Sequence, residues 1–104
     1  MKNISVIEFE QALSNRTHES ACIDVCSAQE YDQHHIAGVT NIPLETLPSH
    51  ISTLRVKKKI YIHCLSGGRS KVAAQFLEAN GVKAEIFNVE GGLMAWHSAG
   101  LPLA

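Results

Sequence analysis

Cys64 stands where an apolar run meets a glycine-rich turn closed by a cation, in Lys59-Ile60-Tyr61-Ile62-His63-Cys64-Leu65-Ser66-Gly67-Gly68-Arg69-Ser70. Residue types in that order suit an activated thiolate. Gly67 and Gly68 permit positive φ, so the N–H groups of Leu65, Ser66, Gly67, Gly68, Arg69 and Ser70 can turn inward on the sulfur as an anion-binding nest. A helix opening near Arg69 or Ser70 would aim its unpaired N–H groups and positive dipole end at the same point, and Arg69 adds a full charge. A free cysteine with a pKa of about 8.5 falls to roughly 3.5–7.5 in such surroundings, which makes Cys64 the candidate nucleophile, its side chain ending at the mouth of a site. The bland alternative is a strand-end cysteine acting as a small hydrophobe, and the flanking Gly-Gly-Arg-Ser weighs against it.

The other titratable residues have weaker claims. A thiol already ionised needs no general base, so His63 is read as a brace for the end of the strand. Asp24 either orients loop N–H groups from a neighbouring strand or is a buried, hydrogen-bonded carboxylate. Six histidines and three cysteines invite a metal reading that their spacing resists. Cys22 and Cys26 lie four residues apart on an expected strand, about 13 Å at 3.3 Å per residue, too far to chelate one ion or bond to each other. His34 and His35 are adjacent and cannot readily share one metal face. Gly67-Gly68-Arg69-Ser70 lacks the spacing of a Walker loop, and no dinucleotide fingerprint follows a strand. Neither a metal nor an organic cofactor is expected.

The elements that must position Cys64 follow from periodicity and caps. Ile4 to Asn15 carries helical spacing in Ile7, Ala12 and Leu13, with Ser5 and Glu8 as a capping box. Ala21-Cys22-Ile23-Asp24-Val25 is a short apolar run of the kind found inside a parallel sheet, and Ser27 can cap a short helix over 28–31. Val39 to Ile42 reads as a strand stopped by Pro43, and Leu44 to Leu54 as helical turns broken around Pro48. Ile60 to His63 is the central strand. Ser70 to Ala79 is the clearest helix, with Val72, Ala73, Phe76 and Leu77 on one face and Gly81 at its end. Ala84 to Val89 is a further strand, followed by a Gly91-Gly92 turn and a short helix holding Leu93, Met94 and Trp96. Trp96, Phe76 and Phe87 are read as packing residues. Strands alternating with helices imply an α/β layer fold, a mostly parallel central sheet flanked by helices, whose ligand crevice lies at the carboxyl ends of the strands. Cys64 falls at that end.

At 104 residues the chain is long enough for one domain, 1–104, that needs no disulfide staple. A net charge of −1 leaves no footprint for nucleic acid or an anionic membrane. Lys57-Lys58-Lys59 leads into a strand and reads as a solvated edge. No stretch approaches a transmembrane length, and an acid at Glu8 interrupts any signal-peptide core. Three cysteines, an odd number, argue for free thiols in a reducing setting, and the expected location is the cytoplasm.

His63-Cys64 followed by an arginine invites comparison with cysteine phosphatases, whose signature places five residues between cysteine and arginine. Here four intervene, and a smaller ring of N–H groups suits one sulfur atom better than a tetrahedral phosphate. Over nearly its whole length the chain resembles a single-domain rhodanese, a thiosulfate or persulfide sulfurtransferase. The resemblance runs through Ile23-Asp24-Val25, Glu30-Tyr31, His35-Ile36-Ala37-Gly38-Val39 and Asn41-Ile42-Pro43-Leu44. It continues through Cys64 to Ser70 and ends with Asn88-Val89-Glu90-Gly91-Gly92, Trp96 and Gly100-Leu101-Pro102. It implies a three-layer rhodanese-like fold, with His35 as a structural histidine.

It also implies a double displacement in which Cys64 takes sulfane sulfur from thiosulfate or a persulfide and passes it to cyanide, a small thiol or a protein acceptor. On that reading Leu65, Ser66, Gly67, Gly68 and Ser70 hold the anionic persulfide and Arg69 neutralises the donor. The chain departs from the family pattern in two places. Cys26 replaces an arginine after Asp24-Val25, and His34 and Ala37 replace the glycine and proline around His35-Ile36. Cys26 is either a neutral filler in the core or a thiol that resolves the Cys64 persulfide to a disulfide. Two other functions stay open: a cysteine-dependent phosphatase or arsenate reductase, and a non-catalytic binding module of the same fold.

Overall fold

Two capping boxes start the first two helices. The Ser5 hydroxyl accepts the Glu8 N–H at 3.1 Å while the Glu8 carboxylate accepts the Ser5 N–H at 3.0 Å, opening α1 (Val6–Ser14). Ser27 and Glu30 repeat the exchange at 3.2 and 2.9 Å to open α2 (Ala28–Gln33). Each box satisfies donors that a helix start otherwise leaves unpaired. The computed structural model describes residues 1–104.

Five strands form one sheet: β1 (Lys2–Ile4), β2 (Ser20–Asp24), β3 (Thr40–Asn41), β4 (Lys59–His63) and β5 (Glu85–Val89). Their order is β1-β5-β4-β2-β3 and every pairing is parallel, with β4 at the centre. Parallel neighbours need crossover connections, which α1, α2, α4 (Gly68–Ala79) and the segment after β3 supply. That segment, Leu44 to Leu54, is a 3-10 stretch over Leu44–His50 containing Pro48, then one α turn, α3 (Ile51–Leu54). A final helix, α5 (Gly92–Ser98), follows β5 directly. No helix is long and apolar enough to cross a membrane.

Side-chain alternation divides the core between the two faces of the sheet. Ile23, Ile60, Ile62 and Ile86 pack with Ala73, Ala74 and Leu77 of α4 and with Leu47 and Leu54. Cys22 and Val89 face the other way, with Phe9 of α1 and Trp96 of α5. The Phe9 ring meets Tyr61, His63 and Trp96 at centroid distances of 6.1, 5.9 and 6.0 Å. The result is three layers, helix–sheet–helix, and each fully buried large apolar side chain contributes roughly 1.5–3 kcal/mol.

Three sequence expectations need correction. Ile4 does not begin a helix: it ends β1, whose pairing with β5 sets Asn3 opposite Asn88. Ile7 is 50% exposed, and α1 instead buries Val6, Phe9 and Leu13, which share the face expected for helical spacing. Val72 is 52% exposed, because the buried face of α4 runs through Ser70, Ala73, Ala74 and Leu77. That helix ends as expected: Gly81 at φ +78° lets its own N–H reach Glu78 O and the Val82 N–H reach Leu77 O, a Schellman closure.

Candidate active site

Cys64 is the first residue after β4, and only Leu65, Ser66 and Gly67 separate it from α4. Gly67 takes φ +115°, a conformation side chains resist, and thereby turns its N–H onto the Cys64 sulfur at 3.0 Å. Gly68 has no such need. It is the first helical residue, its φ is not positive, and a β-carbon there would meet nothing within 4 Å. The helix thus opens one or two residues earlier than the sequence suggests.

Ser70 closes the loop from inside the helix. Its hydroxyl oxygen lies 3.6 Å from the Cys64 sulfur, 3.0 Å from the Gly67 carbonyl, and within hydrogen-bond reach of Asn88 Oδ1. Asn88 in turn donates to Asn3 Oδ1 at 3.0 Å, so β1 anchors a polar chain that ends at the sulfur. Burial opposes ionisation of Cys64. The Ser70 hydroxyl, then the N–H groups of Ser70, Gly67 and Ser66, favour the thiolate by more than burial disfavours it, so the thiol lies below its ordinary pKa. Cys64 is only 1% exposed, so its sulfur lies beneath the loop and not at an open mouth.

The outward face of the loop is fixed by α5. The Leu93 and Met94 N–H groups donate to the carbonyls of Cys64 and Leu65 at 2.9 and 3.0 Å. Gly92 makes this approach possible, since a β-carbon there would collide with Cys64 O and come within 2.9 Å of the Leu65 carbonyl. The Leu65 side chain points outward, 40% exposed.

Arg69 is not aimed at the sulfur. Its guanidinium grips Glu30 with both terminal nitrogens, at 2.6 and 2.9 Å, and lies 3.7 Å from the Cys26 sulfur. The Arg69 guanidinium, followed by the Ser27 N–H, lowers the Glu30 carboxyl to about 2. Cys26 is 2% exposed, and burial, then Asp24, push its thiol well above the ordinary value. Such a thiol is a poor nucleophile, which favours the filler reading of Cys26 over the resolving one. Burial likewise raises Cys22, to about 11.

Asp24 and His63 form a buried pair behind the loop. One Asp24 oxygen accepts the Cys26 N–H at 2.8 Å, and the other lies 3.8 Å from His63 Nε2, neither of those two atoms having another partner. His63 Nδ1 is 3.1 Å from the Cys64 carbonyl and therefore donates to it. Burial pushes the imidazole pKa down by more than Asp24 raises it. His35 stacks on Tyr31 at 4.0 Å, with Nδ1 2.7 Å from the Tyr31 carbonyl, a structural arrangement. No three His, Cys, Asp or Glu side chains converge on a point that would hold a metal ion.

The structure places Cys64, Ser66, Gly67 and Ser70 together around the sulfur, and adds Asn88, Asn3, Gly92 and Glu30, which the sequence does not single out. A polar residue inside the apolar run Ile86-Phe87-Asn88-Val89 was the available signal for Asn88, since a buried carboxamide needs a partner. Nothing in the sequence marked Gly92 as distinct from Gly91.

Comparison with known proteins agrees with this geometry. The chain is 35% identical over 96 residues to the uncharacterized protein YqhL of Bacillus subtilis, covering 92% of this chain and 72% of that one. It is 38% identical over 93 residues to the putative sulfur carrier protein YrkF of the same organism, covering 89% of this chain and about half, 49%, of the relative's length. A protein of Allochromatium vinosum named sulfurtransferase is 29% identical over 96 residues, 89% of each chain. Among solved structures, a rhodanese-like domain protein from Staphylococcus aureus superposes with a TM-score of 0.79 at 32% identity, covering 92% of this chain and 91% of that one. The family model for the rhodanese-like domain matches residues 5–99, and with the parallel sheet and the cysteine loop at its carboxyl edge this chain belongs to the rhodanese-like domain family.

Proposed function

We propose that residues 1–104 act as one sulfurtransferase domain that carries sulfane sulfur on Cys64. The Gly67 N–H held 3.0 Å from the Cys64 sulfur is the observation that carries this reading, because it is a donor aimed at negative charge on that atom. The Cys64 thiolate attacks the outer sulfur of a donor. With thiosulfate the S–S bond breaks, sulfite leaves with the bonding pair, and Cys64 becomes an anionic persulfide. With a persulfide donor the leaving group is a thiolate. In the second half-reaction a thiolate or cyanide attacks the outer sulfur of that persulfide and releases Cys64 as thiolate. Sulfur carries the electrons throughout, so the cycle requires no metal or organic cofactor.

The N–H groups of Ser66, Gly67 and Ser70 and the Ser70 hydroxyl hold the thiolate and then the persulfide, while Leu65 and Gly68 flank the approach. Similarity to the putative sulfur carrier protein YrkF supports a protein thiol as one acceptor. Three free cysteines suit the reducing cytoplasm as the place of work.

The test is mass spectrometry after incubation with thiosulfate and, separately, with a persulfide. The Cys64 peptide gains the mass of one sulfur atom, the gain is lost on adding cyanide, and Cys64→Ala shows none. A phosphatase or a non-catalytic binding module would show no sulfur adduct, and transfer retained in Cys64→Ala would end the proposal.

A further inference from the structure

We infer that Glu30 determines the charge of the donor that Cys64 accepts, by holding Arg69 in an ion pair so that the entrance to the loop carries no net positive charge. This rests on Cys64 as the nucleophile. A cation at the opening of α4 would draw in a dianion such as thiosulfate, yet both terminal nitrogens of Arg69 are engaged by Glu30. The pair is partly open to solvent, with side chains 39% and 36% exposed, and Arg69 directly follows Gly68 in the loop that carries Cys64. The carboxylate is fixed from behind by the Ser27 N–H at 2.9 Å, and with a pKa near 2 it stays ionised at any working pH.

The remaining charges balance as well. Lys71 and Glu90 line one cleft of about 160 Å³ with Ser66, Gly67, Gly68, Asn88 and Gly91, one cation against one anion. Cys26 beside Arg69 is a neutral thiol, held well above its ordinary pKa by burial. A dianion therefore meets no net positive charge at the loop to offset its desolvation cost, whereas a persulfide with no charge beyond its own sulfur needs only the loop N–H groups. The donor class this entrance favours is a hydropersulfide, R–S–SH. The Cys64 thiolate takes its outer sulfur, the S–S bond of the donor breaks, and R–S⁻ leaves with the bonding pair.

Alkylation tests the charge rule without requiring sulfur transfer. Iodoacetate and iodoacetamide react with Cys64 by the same displacement and differ by one negative charge. Any change in the thiolate fraction of Cys64 cancels in the ratio of their rates. Glu30→Gln keeps the N-terminal cap of α2, since glutamine accepts the Ser27 N–H. It is expected to raise the iodoacetate-to-iodoacetamide ratio about tenfold at low ionic strength, the effect of freeing one charge beside the loop. Glu30→Asp keeps the charge and should stay within about twofold of wild type on the same basis. An unchanged ratio in Glu30→Gln, or an equal rise in Glu30→Asp, would overturn the inference.

In the kinetic arm, kcat/KM for thiosulfate relative to that for the hydropersulfide of 2-mercaptoethanol should rise in Glu30→Gln by at least the factor of the alkylation ratio, since thiosulfate carries two negative charges where iodoacetate carries one. A parallel rise for both donors also overturns it. If the alkylation ratio responds but no variant transfers sulfur, charge selection stands and the transfer reading falls.

Discussion

The hydroxyl of Ser70 lies 3.6 Å from the sulfur of Cys64, on a side chain that is also tied to Asn88 in the adjoining strand. In the thiol state Cys64 donates to the Ser70 oxygen, and the hydroxyl proton goes to Asn88 or to the Gly67 carbonyl. Once the sulfur ionises, the same hydroxyl can turn and donate to it. Ser70 thus joins the stability of the loop to the acidity of the nucleophile.

Ser70→Ala is expected to raise the Cys64 pKa, because the hydroxyl is the strongest of the groups that lower it. The pH profile of iodoacetamide alkylation should move to higher pH. The variant also leaves the fully buried Asn88 oxygen without its partner, which costs about 1–3 kcal/mol in a urea melt. An alkylation profile that coincides with wild type would remove Ser70 from the account of the thiolate.

The two glycines on either side of the loop should behave oppositely. Gly92→Ala must fit a β-carbon against the Cys64 carbonyl at φ +55°, and the left-handed backbone alone costs about 1–3 kcal/mol. Loss of both stability and Cys64 reactivity is expected. Gly68→Ala meets open space in a helical position and should stabilise the fold by about 0.4–1 kcal/mol through the unfolded chain. Thermal denaturation of the two variants beside wild type decides the matter, and equal melting temperatures would contradict it.

Burial of His63 gives stability a sign with pH. Its folded pKa lies below the ordinary value of about 6.5, so the unfolded chain binds more protons between the two values and stability rises with pH through that window. The contribution is complete above the unfolded pKa and is lost as pH falls from there through the folded pKa. His63→Gln removes the titration and keeps a donor for the Cys64 carbonyl. Urea midpoints at pH 7 and pH 5 should fall further apart in wild type than in this variant, and an equal separation would show that His63 does not titrate with unfolding.

The local features were the most legible in the sequence. The Ser5 capping box, the Ser27 cap, the central strand, the Gly81 helix end and the cysteine loop are written in residues within a few positions of one another. What escaped was set by distant partners. β1 is three residues long, Lys-Asn-Ile, and is a strand only because β5 offers it a ladder. With β1 went Asn3 and the polar chain to Ser70. Arg69 was assigned to the sulfur because sequence proximity says nothing of Glu30, 39 positions away, whose carboxylate wins the guanidinium by two short hydrogen bonds. Helical spacing on α1 and α4 identified a face but not its centre, so Ile7 and Val72 were drawn inward while Phe9 and Ala74 did the packing.

The peptide planes between Cys64 and Met94 carry a last consequence. Because the Cys64 and Leu65 carbonyls are clamped by α5 amides, the dipoles of the loop were oriented when the chain folded and cannot follow a charge that moves. When negative charge passes from the Cys64 sulfur to the outer atom of a persulfide one bond further out, the surroundings have almost no relaxation left to perform. A loop of this kind lowers the reorganisation energy of both half-reactions alike. Under the proposed transfer, its forward and reverse barriers are then set by the chemistry of donor and acceptor.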